Sequence, residues 1–420
     1  MAADDLGPSI VIVPAQRSAE RLTRRMRAAG RQVVLHPESW AEAAAGGVTV
    51  IGTRSAIWAP LPEVASIVVL DSHDEALQSE RSPTWSAVGL AVERAQRERV
   101  PCVLVSPTPR HEHSLGRPVH TVSRDDERAG WAPLHIVDLR HTDPRHGLFT
   151  PALVDLLRSD KRVIAVINRK GRSNLLVCRS CDEVARCERC DSATNLASEL
   201  LTCHRCKTDQ PVICRHCGST GFKQLRPGVT RIREDLESLA LRPVGEVTSD
   251  SDALPDADVL VGTEAVLHRV GKADAIVFLD FDQELLAPRN RAAEDALVLL
   301  ARASRLVGGR RSNGIVMTQT RQPDHETLGA ALHADPSRLD AVESVRRQEL
   351  RWPPYRVLAA ISGPAAEQYV DGLRGAIDVL GPSNGVWLVS ARDHDELSEV
   401  LARANRPAGR LRVEVDPPRA

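Results

Sequence analysis

The sequence predicts an α/β protein with two parallel-sheet lobes, a cysteine-rich module inserted in the second lobe and a small α+β domain at the C-terminal end. Short continuous apolar runs alternate with helical stretches along most of the 420 residues, which is typical of strands buried on both faces of a parallel sheet. Eight of the nine cysteines lie between Cys178 and Cys217 and interrupt this alternation. Near residue 350 the pattern changes at the stiff pair Pro353-Pro354.

The first lobe is expected over residues 1–133. A helix from Ser18 would be capped by that serine and would stop before Gly30. The predicted strands and helices of this lobe are Ser9–Val13, Ser18–Gly30, Val48–Gly52, Ile67–Asp71, Trp85–Arg99 and Val100–Val105.

The second lobe is expected over residues 134–177 and 218–345, on either side of the insertion at 178–217. Its predicted strands are Leu134–Val137, Val163–Ile167, Val259–Thr263, Ala275–Asp280 and Gly314–Met317, with a long helix at Arg291–Arg305. The C-terminal domain, 346–420, is predicted as strand, helix, strand, helix, strand at Val357–Ile361, Glu367–Leu380, Val386–Val389, His394–Ala404 and Leu411–Val415.

Composition excludes several classes of protein. Basic and acidic residues number 55 and 56, so the formal net charge of −1 gives no global field that would attract nucleic acid. Aromatic residues make up 3%, which leaves few platforms for stacking single-stranded bases. No apolar run reaches the ~18 residues of a membrane span. The acidic N-terminus is unlike a secretory signal, so a cytoplasmic location is expected.

Four Cys-x-x-Cys pairs predict a metal-binding module. In a reducing compartment this spacing favours metal ions over disulfides. Zinc is favoured over an iron–sulfur cluster because the cysteines are regularly spaced and Gly218, rather than proline, follows the last one. The pairs are Cys178/Cys181, Cys187/Cys190, Cys203/Cys206 and Cys214/Cys217.

The four pairs can share two ions in three ways, and a nested arrangement is favoured. Only residues 182–186 separate the first two pairs, whereas 191–202 suits a zinc-ribbon hairpin between the second and third. The first zinc ion would then be held by Cys178, Cys181, Cys214 and Cys217, and the second by Cys187, Cys190, Cys203 and Cys206. Shells filled by thiolates leave no open position for water, so the ions are expected to be structural. The basic residues around them form either a solvated face or a platform for nucleic acid or protein.

The sequence contains no G-x-x-x-x-G-K-[ST] loop; its one Gly-Lys pair, Gly271-Lys272, is followed by Ala273. Asp71 ends an apolar run, where a metal-binding aspartate of a nucleotide motor would stand, but Ser72 rather than glutamate follows it. A single aspartate at this place is also common as a cap or turn residue.

An ordered set of motifs resembles the primosomal protein N-prime family of bacterial replication restart proteins. The motifs are I-G-T-R-S-A-I-W-A-P at 51–60, N-R-K-G at 168–171, the cysteine spacings, V-G-T at 261–263, L-D-F-D at 279–282, R-A-A-E at 291–294 and L-R-W-P-P-Y at 350–355. The resemblance implies superfamily-two helicase architecture: two RecA-like lobes, nested binding of two zinc ions in the second lobe and a C-terminal domain.

The same resemblance implies DNA contacts at Gly52, Thr53, Arg54, Ser55, Gly262 and Thr263. Without it, these residues would be ordinary strand-to-helix turns. The implied ligands and partners are forked or single-stranded DNA, other primosome proteins and single-stranded-DNA-binding protein.

Departures from the family pattern predict a degenerate nucleotide site at Asp71 and Arg305. The family's D-E-E-H reads D-S-H-D at 71–74, its Q-V-A-G-R-A-G-R reads A-R-A-S-R-L-V-G at 301–308, and the chain begins after the point where the P-loop is expected. We therefore expect no catalytic residues, doubtful ATP binding and a DNA-binding restart protein that lacks helicase activity. The alternatives are an active ATP-dependent 3'-to-5' helicase whose N-terminal part is missing from the sequence, and a zinc-ribbon adaptor that binds only proteins.

Overall fold

The structure is a computed structural model of the 420-residue chain. It describes all residues except 1–6, 80–83, 109, 141–147, 168–175, 182–184, 186, 189–193, 198–199, 204–207, 225–227, 248–252, 288, 384 and 418–420. For residues 112, 177, 195–197, 203, 223–224, 228 and 230 it describes the backbone alone. Contacts divide the chain into a first unit, 1–121 with 288–298 and 336–420, and a second unit, 122–287 with 299–335. The finer division into lobes, insertion and C-terminal domain stays a prediction.

A parallel sheet with strand order β2-β3-β1-β4-β7 organises the N-terminal part of the first unit. Alternate side chains of β1, such as Ile10 and Ile12, are fully buried in the core on one face, and Val11 and Val13 pack in a second cluster with residues of α1. The elements are β1 (Ser9–Ile12), α1 (Gln16–Ala28), β2 (Val33–Leu35), α2 (Trp40–Ala45), β3 (Thr49–Gly52), β4 (Ser66–Leu70), β5 (Gln78–Ser79), β6 (Trp85–Ser86), α3 (Ala87–Glu98), β7 (Cys102–Val105) and α4 (His111–Ser114), with 3₁₀ turns at Arg54–Trp58 and Glu75–Leu77.

A second parallel sheet, with strand order β15-β16-β9-β17-β18-β8, organises the second unit. Its central strands are fully buried, in agreement with their continuous apolar sequence. The elements are α5 (Arg124–Gly130), β8 (Leu134–Asp138), α6 (Pro151–Leu157), β9 (Val163–Val166), β10 (Leu176–Cys178), β11 (Thr194–Ala197), β12 (Leu200–Cys203), β13 (Asp209–Gln210), β14 (Phe222–Gln224), α7 (Gly228–Ala240), β15 (Val244–Val247), β16 (Val259–Gly262), α8 (Val266–Arg269), β17 (Ala275–Phe278), α9 (Asp282–Leu285), α10 (Ala292–Leu306), β18 (Ile315–Thr320) and α11 (Glu326–Leu332).

The C-terminal part of the first unit contains an antiparallel sheet with strand order β20-β21-β19-β22. Its elements are α12 (Ser337–Leu350), β19 (Val357–Ser362), α13 (Ala366–Asp371), β20 (Asp378–Ser383), β21 (Val386–Ala391), α14 (His394–Arg403) and β22 (Arg412–Val415). The two parallel sheets, the interrupting cysteine segment and this small sheet confirm the predicted α/β fold class.

The predicted helix Glu367–Leu380 is wrong. The helix ends at Asp371, and residues 378–383 form β20, which pairs with β21. Gly372 and Gly375, the latter with φ of 85°, follow the helix and favour a turn. Pairing with β21 then decides the conformation of a segment whose local sequence is compatible with a helix.

Smaller differences concern the ends of elements. Helix α1 begins at Gln16 instead of Ser18, after extended Ala15. Trp85 and Ser86 pair with β5 as a short strand, and Ser86 caps α3 by accepting a hydrogen bond from the Gly89 N–H. The sequence analysis also missed β2, α7 and β15. Among the described residues, no helix has the length and apolar character of a membrane span.

A buried arginine fixes the junction between α12 and the segment that leads to β19. Arg347 is fully buried, and its guanidinium contacts Glu294 at 2.7 Å and Glu343 at 3.3 Å. The same guanidinium donates to the carbonyl oxygen of Pro353 at 2.9 Å. Paired and hydrogen-bonded charges of this kind avoid the desolvation cost of an isolated buried ion.

We predict that Arg347→Met destabilises the chain by about 3–5 kcal/mol, because it removes a buried cation that pairs with the carboxylates of Glu294 and Glu343. Urea unfolding followed by circular dichroism measures the change. The matched control is Arg403→Met, which removes an exposed arginine paired with Glu399 and is expected to cost less than about 0.5 kcal/mol. Equal losses in both variants would contradict the role of the buried cluster.

Candidate metal centre and strand-end loops

Four cysteines meet in the second unit. The sulfur atoms of Cys178, Cys181, Cys214 and Cys217 all lie within 4.8 Å of one another. The Cys178–Cys217 and Cys181–Cys214 sulfur distances are 3.5 and 3.6 Å. Four sulfurs bound tetrahedrally at ~2.3 Å from one ion would be ~3.8 Å apart. The donor set and its spacing therefore fit one metal ion, and these are the four cysteines that the sequence analysis assigned to the first ion.

Two local structures bring these four sulfur atoms close together. Cys178 ends β10, which pairs with β14 so that Cys178 lies opposite Phe222. At the second pair, the Gly218 N–H donates to the Cys214 carbonyl and the Cys214 N–H donates to the Ser219 carbonyl, both at 2.8 Å. Gly218 has φ of 73°, which glycine adopts at little cost.

The two cysteine pairs are also joined directly. The hydroxyl of Ser180 donates to the hydroxyl of Ser219 at 3.0 Å, and the Arg179 N–H donates to the Gly221 carbonyl at 2.9 Å. Cys178 is buried and Cys217 is exposed, so the cluster lies at the surface of the unit with one side covered. Such backbone and side-chain bonds hold the ligands in place before a metal ion binds.

The local environment favours the thiolate form of Cys178 in this cluster. Burial opposes ionisation of the Cys178 thiol, but backbone N–H groups of Ser180 and Cys181 donate to its sulfur, and the pKa is lowered to about 6. By contrast, burial raises the pKa of the Cys102 thiol to about 11, so this thiol is expected to stay protonated and unreactive.

The structure describes only part of the second set of cysteines. Cys187 is described and buried, and it lies between Ala185 and the exposed Glu188. Cys190, Cys206 and the side chain of Cys203 lie outside the described residues. The backbone of Cys203 ends β12, which pairs with β11 in the hairpin that spans residues 194–203. This hairpin is where the sequence analysis expected a zinc ribbon.

In the first unit, β3 ends at Gly52, the first of the predicted DNA-contact residues. A Cβ atom at Gly52 would lie 2.9 Å from Cβ of Ala56 and 3.1 Å from the carbonyl oxygen of His36, so a larger residue does not fit. The chain then turns, and the Ala56 N–H donates to the Thr53 carbonyl at 2.8 Å. Arg54 is exposed and donates to the carbonyl oxygen of Ala76 at 3.1 Å.

The second unit repeats this arrangement at the end of β16. A Cβ atom at Gly262 would overlap the carbonyl oxygen of Val247. The Val266 N–H donates to the Thr263 carbonyl at 2.9 Å, as Ala56 does to Thr53. The repeat is visible in the sequence as an apolar run followed by Gly-Thr, but the sequence analysis did not compare the two segments.

The loop after β4 contains the predicted degenerate nucleotide residue Asp71, which adopts φ of 50°. Ser72 is buried, and its N–H donates to the carbonyl oxygen of Val105 in the loop that follows β7. His73 is also buried, and its Nδ1 atom lies 3.0 Å from the hydroxyl of Ser106. The strand-end segments 71–74 and 105–108 are therefore bonded to each other, a contact that sequence reasoning missed.

The other predicted nucleotide residue, Arg305, lies in the last turn of α10 and is exposed. One turn earlier, Arg302 contacts the ring of His268, with 2.8 Å between Nη1 and Nε2. Asp71 belongs to the first unit and Arg305 to the second.

Comparisons with known proteins agree with the sequence motifs. No protein-family model matches the chain. It is 26% identical over 346 residues to the replication restart protein PriA of Bacillus subtilis, a match that covers 74% of this chain and 43% of that protein. For replication restart protein PriA of Synechocystis sp. the identity is 27% over 397 residues, covering 82% and 48%. The resemblance to replication restart proteins is therefore confirmed, and the chain spans about half the length of these curated relatives.

Among solved structures, the chain is similar to the E. coli DExH-box NTPase HrpB, with 12% identity and a TM-score of 0.34 over 75% of this chain and 36% of that one. A likeness at this level adds nothing to the fold assignment, which rests on the register of the chain's own sheets.

We predict that Cys181→Ser lowers the metal content of the purified chain by one ion, because three sulfurs leave the tetrahedral shell open. Inductively coupled plasma mass spectrometry measures metal per chain. Cys102→Ser is the matched control, since Cys102 lies in β7 outside the cluster, and its metal content is expected to be unchanged. Unchanged metal content in Cys181→Ser would contradict the proposed ligand set.

Proposed function

We propose that this chain acts in replication restart: it binds forked or single-stranded DNA and initiates primosome assembly, without helicase activity. The observation that carries the proposal is its sequence similarity to replication restart protein PriA over 74–82% of its length. The similar proteins are about twice as long, so the activity, substrates and partners are proposed for the chain and do not follow from the comparison alone.

The strand-end loops would contact DNA phosphates. In both units a glycine too crowded for a side chain is followed by a turn at a threonine, which leaves a polar surface made of backbone and hydroxyl groups. Groups of this kind bind phosphates without reading base sequence. Exposed Arg54 would add a positive charge to the surface formed by Gly52, Thr53 and Ser55, while Gly262 and Thr263 form its counterpart. Because the net charge of the chain is −1, DNA binding would depend on such local phosphate contacts and not on a global positive field.

The loop at Asp71 supports the absence of ATP hydrolysis. In the replication restart family a glutamate follows this aspartate, and in nucleotide motors a positioned polar group orients the attacking water. Ser72 has no carboxylate, is 5% exposed and is held through its N–H at the Val105 carbonyl. It therefore offers no general base at this position.

The cysteine segment would hold two zinc ions, one at Cys178, Cys181, Cys214 and Cys217 and one at Cys187, Cys190, Cys203 and Cys206. Thiolate-only shells are a structural type of zinc site. The module would contribute to binding of DNA, of primosome proteins and of single-stranded-DNA-binding protein. Mass spectrometry of the unaltered chain is then expected to return two zinc ions per chain, and any other metal or a lower count would contradict this assignment.

The alternative is an active ATP-dependent 3'-to-5' DNA helicase. The observations that favour it are the aspartate retained at position 71, after a buried parallel strand, and the arginine retained at position 305 in the last turn of α10. Its chemistry would require a group that replaces the missing glutamate.

We predict that Arg54→Ala weakens binding of a fluorescently labelled fork and lowers the magnitude of the salt slope, log K against log [salt], by about 0.9, because one phosphate contact is lost. Fluorescence anisotropy at several salt concentrations measures both. Arg97→Ala is the control, because Arg97 is an exposed arginine of α3 paired with Glu93. Equal slopes in Arg54→Ala and the unaltered chain would contradict the contact.

We also predict that fork DNA produces no increase in phosphate release from ATP by the complete gene product, because the water-activating carboxylate is absent at Ser72. A coupled phosphate assay with a tenfold excess of DNA measures turnover. DNA-stimulated turnover near the ~1–10³ s⁻¹ common for enzymes would overturn the non-motor proposal in favour of the helicase alternative.

A further inference from the structure

An arginine-lined cavity lies in the C-terminal part of the first unit. It is bordered by the end of α12, the segment before β19, the turn between α13 and β20, and the start of α14. Its volume is about 510 Å³, within the range of small-molecule sites. The charged residues that line it are Arg351, Arg356, Arg374, Asp378, Arg392 and Glu396.

Two of these arginines have hydrogen-bond donors without acceptors. The guanidinium of Arg351 is exposed at the C-terminal end of α12 and makes no hydrogen bond or ion pair with any residue that the structure describes. The Nε atom of Arg356 is buried and lacks a partner within the described part of the chain. A buried donor without an acceptor is costly and uncommon in proteins. An oxyanion in the cavity would supply an acceptor for the exposed guanidinium of Arg351.

Three of the four arginines are held in place by neighbours. Arg356 contacts Asp378 at 3.1 Å and donates to the Ser390 carbonyl at 3.2 Å. Arg392 contacts Glu396 at 3.0 Å, and Arg374 contacts Asp371 at 3.1 Å. The guanidinium carbon of Arg374 also lies 5.3 Å from the centre of the Trp387 ring. Each guanidinium has five N–H donors in a rigid fork, so one carboxylate partner does not exhaust them. Their positions are set without a ligand, which lowers the entropy cost of binding one.

The mixture of charges favours a small ligand over a continuous polyanion. Arginine forks match phosphate oxygens in pairs. A strand that ran through the cavity would bring some of its phosphates against Asp378 and Glu396, whereas a ligand with a few phosphates at one end can keep all of them on the arginines. Carboxylates do suit sugar hydroxyls, which donate hydrogen bonds to them in nucleotide sites. Guanidinium planes can also stack on a nucleobase.

We propose that this cavity binds a nucleoside polyphosphate, with its phosphates on the arginines and its ribose hydroxyls on Asp378 and Glu396. None of the lining residues belongs to the strand-end loops or to the cysteine cluster, and the proposal does not rest on the DNA-binding function.

Isothermal titration calorimetry of the full chain tests this, with ATP and inorganic triphosphate as probes and without added magnesium. Both probes are expected to bind, ATP more tightly because the triphosphate lacks ribose. The double variant Arg351→Gln/Arg392→Gln is expected to lower the affinity for both probes by at least tenfold, since each charge-assisted hydrogen bond contributes roughly a factor of ten. The matched control is Arg403→Gln/Arg412→Gln, which removes arginines paired with Glu399 and Glu414 outside the cavity.

The result that would overturn the proposal is ATP affinity that is equal in the cavity variant and the control. It is also overturned if ATP binding disappears in Asp71→Ala but persists in the cavity variant, because the nucleotide would then occupy the strand-end site. A single-stranded oligonucleotide that alone loses affinity in the cavity variant would assign the arginines to a nucleic-acid strand instead. Fork binding by the cavity variant, measured in parallel, separates this outcome from failure of the proposed DNA-binding function.

Discussion

The absence of room for a side chain at two strand ends shapes both units of this chain. At Gly52 and at Gly262 a Cβ atom would meet backbone or side-chain atoms of the neighbouring strand or turn. Each strand must therefore end in glycine, and the following threonine then accepts a backbone bond three residues later. Packing at the ends of the two strands therefore fixes the positions of the polar groups in these turns. The candidate DNA-contact surface is a consequence of that packing.

The cysteine cluster obeys a different kind of constraint, one of ligand geometry. Cys178 ends a strand and Cys217 stands in a turn, yet their sulfurs lie 3.5 Å apart because β10 and β14 pair beside them. The apolar cluster beside these strands is small: Leu176, Ala185 and Leu201 are buried, and Val212 and Phe222 pack against them. A module of so few buried apolar residues has little burial of its own to stabilise it, and metal coordination is the usual compensation in small cysteine-rich segments.

Sequence was a good guide where one signal dominated and a poor one where two competed. Short continuous apolar runs such as Val163–Ile167 are compatible with few structures other than a buried strand. Both parallel sheets could therefore be predicted from them. The nested grouping of Cys178 with Cys214 was predicted from the lengths of the segments between the cysteine pairs, and the four outer sulfurs do lie close together. Residues 378–380 were wrongly predicted as part of a helix, because the strand that they begin depends on pairing with β21. The bond between His73 and Ser106 joins residues 33 apart, which no local pattern reveals.

The buried arginine at position 347 has a consequence for how the C-terminal part of the first unit comes apart. Its guanidinium is bonded at once to side chains on α10 and α12 and to the carbonyl of Pro353. Movement of the guanidinium away from any one of these partners also disturbs its contacts with the other two, so the three contacts are expected to be lost together. The helix and the proline segment are thus expected to dock or separate as a single cooperative step, with no stable half-open form between.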